Sequence, residues 1–195
     1  MEKLSYALGM IIGQNLKSMN IEDLNTTEFA KAVSALLAGE KPEMTMMQAQ
    51  GLVQEYLEKK EEEAGRAARE EGEKFLAENA KKEGVVVLES GLQYQVLTAA
   101  EGPKPTADDK VRCHYEGRLT NGTVFDSSYR RGEPATFPLR GVIAGWTEGL
   151  QHMSVGAKYR FFIPFNLAYG AQGAGGSIPP YAALVFDVEL LGINE

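Results

Sequence analysis

The spacing of apolar residues changes period near Gly84, and that change divides the chain. From Lys3 to Lys17, Leu4, Leu8, Ile11, Ile12 and Leu16 recur at helical spacing, with Gly9 and Gly13 one turn apart on a neighbouring stripe. Asn25-Thr26-Thr27-Glu28 is a cap-like start for a second helix, which carries Phe29, Val33, Leu36 and Leu37 and stops at Gly39. Thr45 and Gln48 form a capping box for a third helix, with no proline before about Lys82. At 1.5 Å per residue such a helix is on the order of 55 Å long. Its first part is apolar at Met46, Met47, Leu52, Val53, Tyr56 and Leu57, whereas Glu58 to Lys74 is almost entirely Glu, Lys, Arg, Ala and Gly. A helix that is polar nearly all round reads as a solvated spacer, with Phe75 and Leu76 placed to dock on the next domain.

After Gly84 the pattern alternates. Val85 to Leu88, then Leu92, Tyr94 and Val96, read as strands, and Val111, Cys113 and Tyr115 lie on one face against Arg112, His114 and Glu116 on the other. Asn121-Gly122 between Thr120 and Thr123 predicts a two-residue type I′ hairpin turn, with positive φ at both central residues. Lys158 to Ile163 and Leu184 to Leu191 are two further strands, and Gly145 to Met153 is one short helix with Trp146, Leu150 and Met153 on a common side. The fold class is therefore α+β: an antiparallel half-barrel sheet wrapped on a short helix over residues 85–195, preceded by an all-α region. The domains expected are a helical segment over 1–57, a long helix over 45–83 whose second half is a charged spacer, and the sheet domain over 85–195.

Three short apolar stripes make a thin core for a segment of this size. Residues 1–57 are therefore expected to associate as a homodimer; the alternative is that these helices fold back on the C-terminal domain. Charge changes the picture little. Through Gly84 there are 11 Lys+Arg against 16 Asp+Glu, and beyond it 9 against 11, so neither part has the basic surface of a nucleic-acid binder. No stretch approaches the ~18 apolar residues of a membrane span, and the N-terminus lacks the basic start and apolar run of a signal peptide. A cytoplasmic location is expected, with a periplasmic or outer-membrane-associated one as the alternative if a leader has been removed.

The usual catalytic equipment is thin. Two histidines, His114 and His152, and the single Cys113 are the candidates, with no nucleophile elbow, P-loop or zinc helix, and no cofactor or metal is expected. Cys113 and His114 point to opposite faces of their strand and cannot form a couple. Gly170 to Gly176 is followed by Ser177-Ile178-Pro179-Pro180, which cannot open a helix toward a phosphate, so the glycines read as a close-approach loop. What is unusual is the aromatic load between Tyr115 and Phe186, part of it at strand ends where an apolar pocket would open.

Tyr115-Glu116-Gly117, Gly122 to Ser128, Val142 to Leu150, Ala168-Tyr169-Gly170 and Ile178-Pro179-Pro180, followed by Leu184 to Leu190, resemble the FK506-binding-protein (FKBP) domain in order and spacing. Ser5 to Gly9 and the long charged helix resemble the dimerisation segment of the bacterial Mip-like and FklB-like branch, so the likeness covers nearly the whole chain. The resemblance implies a peptidyl-prolyl cis/trans isomerase acting on proline-containing unfolded or partly folded polypeptides, with possible FK506/rapamycin-type macrolide binding. The alternative is a holdase chaperone or peptide-binding module in which isomerase activity is secondary. The implied proline pocket has Trp146 as floor and Tyr115, Phe125, Val142, Ile143 and Phe186 as walls. Tyr169 and the Ile143 N–H would hold substrate carbonyls, Asp126 would border the pocket and Ile178 would close it from the loop. Where eukaryotic members often carry a loop histidine this chain has Ala174, and Phe137 lies near a wall position without a secure counterpart.

Overall fold

A computed structural model describes residues 2–19, 21 and 23–194. Met1, Asn20, Glu22 and Glu195 lie outside the described residues, and the first three belong to the segment expected to dimerise. The chain divides into two compact units, Met1–Glu55 and Tyr56–Glu195.

The first unit is helical. Helix α1 spans Glu2–Ser18 and α2 spans Thr26–Leu37, where the Asn25 side chain accepts the backbone N–H groups of Thr27 and Glu28. Helix α3 spans Met46–Asn79, and the boundary between the units falls within it. Its capping box forms as expected: the Thr45 N–H donates to Gln48 Oε1 at 2.9 Å and the Gln48 N–H donates to Thr45 Oγ1 at 3.3 Å. No described residue of α1 or α2 is buried. Their apolar stripes are open: Leu8 is 52% exposed, Ile11 60% and Leu36 53%.

In the second unit, seven strands are found among the described residues: β1 Val85–Val87, β2 Gln93–Thr98, β3 Lys110–Leu119, β4 Val124–Ser127, β5 Ala135–Pro138, β6 Lys158–Ile163 and β7 Leu184–Ile193. They form one antiparallel sheet in the order β1-β2-β6-β7-β3-β4, with β5 also paired to β3. The alternation along β3 holds. Val111, Cys113 and Tyr115 are buried, and Arg112, His114 and Glu116 lie toward the wetter face. A single-turn helix α4, Ser128–Arg131, comes after β4, and α5, Ala144–Leu150, lies against the concave face. A Cβ at Gly145 would stand 2.5 Å from Ile163 Cγ2, and one at Gly149 would stand 2.6 Å from Phe161 Cε1. Only glycine lets α5 approach the sheet so closely, and that approach seats Trp146, Leu150 and Met153 in the core.

Three expectations change. The hairpin between β3 and β4 forms, but its turn is not type I′. Among the described residues Asn121 is not at positive φ; Gly122 alone is, at +88°. The Gly122 N–H closes on Leu119 O at 2.9 Å, while Asn121 Oδ1 accepts the Thr123 N–H. A register shift at Gly117/Arg118 goes with this longer loop. Strand β5 and helix α4 are elements that the apolar pattern did not signal. Finally, the charged half of α3 is not solvated all round: it belongs to the compact unit Tyr56–Glu195, and one stripe of it docks on the sheet. Most side chains there face solvent, but Gly65, Gly72 and Asn79, spaced by seven residues, are buried. A Cβ at Gly72 would lie 2.9 Å from that of Ala183. Phe75 packs on Phe162 with ring centroids 6.0 Å apart, as its expected docking role requires. The buried Asn79 Nδ2 donates to Gln93 Oε1, and Gln93 Nε2 donates to Leu76 O, each at 2.9 Å.

Candidate active site

Where β3, β4, β5, β7 and α5 converge, the concave face is not filled to the rim. A cavity of about 250 Å³ opens there, lined by Tyr115, Phe125, Asp126, Phe137, Gly141, Val142, Ile143, Trp146, Tyr169 and Phe186. The floor is the indole of Trp146, only 4% exposed, with the rings of Tyr115, Phe137 and Phe186 each set edge-on to it at 5.2–5.4 Å. Such T-shaped contacts add ring-quadrupole attraction to close packing and so hold the indole plane. Its buried Nε1–H has no partner among the described residues.

One side of the rim is polar. The Tyr115 hydroxyl donates to Asp126 Oδ2 at 2.5 Å and accepts from Arg131 Nη2 at 2.8 Å; Arg131 also pairs with Asp126 and lies over the Tyr115 ring. Burial pushes the Asp126 carboxyl up. The hydrogen bonds from Tyr115 and Arg131 and the Arg131 charge outweigh burial and hold it below the usual carboxylate range. Burial first, and then the bond to Asp126, raise the Tyr115 phenol. Both groups are thus engaged with each other and with Arg131.

Tyr169 differs. It is 39% exposed, and its hydroxyl has no hydrogen bond among the described residues. Burial, with Asp126 as a smaller contributor, raises its pKa, so it remains a neutral donor at pH 7. The Ile143 N–H, at the entrance to α5, likewise donates to no group among the described residues; its carbonyl accepts from Trp146 and Thr147. The remaining reactive groups lie off the pocket. Cys113 is fully buried, and burial pushes its thiol up to about 12. His114 bonds Ser128 Oγ through Nδ1 on the other face of the sheet, and His152 stacks on Tyr94.

Of the nine residues implied by the motifs, the structure brings Tyr115, Phe125, Asp126, Val142, Ile143, Trp146, Tyr169 and Phe186 together. Ile178 is not among the lining residues: it is 7% exposed and belongs to the core. The reason is local. Gly173, at φ +61°, turns the loop so that Ala174 and Ile178 exchange two backbone hydrogen bonds at 2.9 and 3.0 Å, and Ile178 tucks beneath that closure. Phe137 does line the pocket, carried there by β5. Arg131 was missed. Its signal is the cap-to-stop run Ser127 to Gly132, in which Ser127 Oγ accepts the Arg130 N–H and Gly132 ends the turn at φ +78°.

Both parts of the chain match known proteins. The profile of FKBP-type peptidyl-prolyl cis-trans isomerases matches residues 102–191, and that of the domain amino-terminal to such isomerases matches 1–96. The probable FKBP-type peptidyl-prolyl cis-trans isomerase FkpA of Neisseria meningitidis serogroup B is 46% identical over 203 residues, covering 100% of this chain and 75% of that protein. This chain belongs to the FKBP-type peptidyl-prolyl cis-trans isomerases. The FKBP-type 22 kDa isomerase of Escherichia coli K12 is also 46% identical, across 97% of this chain and 93% of its own length. Among solved structures, the crystal structure of FkpA from Escherichia coli superposes with a TM-score of 0.84 at 34% identity, covering 99% of this chain and 94% of that one. The enzyme is accordingly an FKBP-type isomerase of the Mip/FkpA-like branch, with helices before an antiparallel-sheet isomerase domain. Among the described residues no helix is long and apolar enough to cross a membrane.

Proposed function

We propose that the cavity above Trp146 receives the proline ring of an Xaa-Pro segment and lowers the rotation barrier by desolvation, without acid/base chemistry. The observation that carries this reading is the division of labour at the rim: the acidic group is neutralised by Arg131 and Tyr115, while Tyr169 keeps a free, neutral hydroxyl. Rotation about an Xaa-Pro bond must break amide resonance, at a barrier of ~18–20 kcal/mol for a peptide bond. No bond to a nucleophile is required. The planar amide carries more charge separation than the twisted one, so an aromatic site that strips water from it favours the twisted state. Tyr169 and the Ile143 N–H would hold flanking carbonyls while the ring lies on the indole. Each tenfold in rate requires about 1.4 kcal/mol of preferential stabilisation, within reach of desolvation plus one or two hydrogen bonds. An FK506-type macrolide would compete for the same pocket.

The amino-terminal unit supplies the second part of the proposal, a homodimer formed through residues 1–57. Its support is the open apolar surface of α1, α2 and the start of α3, where Met46 and Leu52 are also exposed.

A proline-limited refolding assay tests the site. Tyr169→Phe should lower the catalysed rate roughly three- to tenfold, the value of one hydrogen bond. Trp146→Ala should lower it further, with both proteins folded by circular dichroism. Unchanged rates in both variants would remove the pocket assignment, and no inhibition by FK506 would remove the macrolide.

A further inference from the structure

The loop that carries Tyr169 is braced by a residue with no contact to the pocket. Tyr181 sits at φ +59°, the left-handed region, which a bulky aromatic side chain adopts only when its surroundings impose it. Three contacts do so. Its N–H donates to Gly170 O at 2.9 Å, directly beside Tyr169. Its ring meets Phe165 edge-on with centroids 5.3 Å apart. On the helix side, a Cβ at Gly65 would lie 3.2 Å from Tyr181 Cδ2 and 3.2 Å from the Cβ of Pro180, so the ring rests on bare helix backbone. Arg69, one turn on, holds its guanidinium 5.4 Å from the centre of the Phe165 ring.

Phe165 and Gly170 bracket Tyr169 in the chain. Both are held by Tyr181, and Tyr181 and Phe165 are held by α3. We propose that Tyr181 is a positioning residue for the isomerase reaction: wedged between α3 and the 165–170 loop, it sets where the Tyr169 hydroxyl stands at the pocket rim. The charged half of α3 thereby acts on the site it does not touch. This rests on the reading of Tyr169 as the donor to a substrate carbonyl.

The test is a double-mutant cycle in the full-length chain, with kcat/KM measured on a short Xaa-Pro peptide. Tyr181→Gly removes the wedge while accepting positive φ freely and keeping the N–H to Gly170. It should lower kcat/KM roughly three- to tenfold, as far as loss of the Tyr169 hydrogen bond can. Tyr181→Phe, which keeps the ring, should restore it. In a Tyr169→Phe background, Tyr181→Gly should cost nothing more, because the hydroxyl it positions is gone. If Tyr181→Gly fails to fold, Gly65→Ala gives the same cycle by pressing a methyl on the ring from the helix.

A wild-type rate for Tyr181→Gly, or losses that multiply with Tyr169→Phe, would overturn the proposal. A silent Tyr169→Phe would instead sink the donor role, and the positioning role with it. Loss from Tyr169→Phe without loss from Tyr181→Gly would leave the site reading intact and remove only the coupling.

Discussion

Phe161, Leu150 and Val188 are wholly enclosed in the sheet unit, while Leu8, Ile11 and Leu36 of the amino-terminal helices stand open to solvent, although both regions are built from the same kinds of side chain. The difference lies in how each region can close a core. A curved sheet with a helix on its concave face covers its own apolar side, and the one place left unfilled becomes the pocket. Three helices with one stripe each cannot cover one another completely, so their apolar surface stays available to a second copy. In one unit, incomplete filling leaves a cavity; in the other, it leaves an open apolar face, the surface that the proposed dimer would use.

The largest test of that contrast is in the helices. Ile11→Asp, counted twice in a symmetric dimer, should weaken association by on the order of a hundredfold or more, read as a shift to monomer in sedimentation velocity. The rate on a short proline peptide should not change. A monomeric wild-type chain would end the comparison outright.

A smaller effect is expected at the seam of α3 and the sheet. Gly72→Leu forces a side chain onto Ala183 and should cost about 1–3 kcal/mol in urea unfolding of the sheet unit. If it costs nothing, the charged half of α3 behaves as the free spacer its composition suggests.

The smallest effect is electrostatic. Burial raises the Asp187 carboxyl, but hydrogen bonds and charge from Arg160, with Arg118, outweigh it and leave the group below its ordinary value. A carboxylate depressed in the folded state contributes stability above its unfolded pKa and loses it as pH falls through the folded one. The melting temperature should therefore drop on acidification below the ordinary carboxylate range, and Asp187→Asn should lower it at pH 7 while flattening that acid limb. An unchanged acid limb would assign the loss to other groups.

The sheet was legible where one face is wet and the other dry, as along Val111, Cys113 and Tyr115, and α5 was legible because Trp146, Leu150 and Met153 share a side. Strand β5 was not, since four residues ending in Pro138 carry too little alternation to register. The docked stripe of α3 escaped because it is made of Gly65, Gly72 and Asn79, none of them hydrophobic; their contribution is absence of bulk. The family motifs name eight residues that line the cavity, whereas Ile178 lies off that lining, in the core beside the turn that Gly173 makes. Arg131 depended on a single helical turn too short for any period to show.

Strand β3 pairs with β7 along nearly its whole length and also with β4 and β5. Tyr115, a wall of the pocket, is thus anchored in the most heavily paired strand of the sheet, and its buried amide, which donates to Ser128 Oγ at 2.7 Å, should be among the last to exchange with deuterated solvent. The loop around Tyr169 is paired with no strand and is held instead at Phe165 and Gly170, by Tyr181. Opening at the pocket should therefore be one-sided, with amides around Tyr169 exchanging before those of β3.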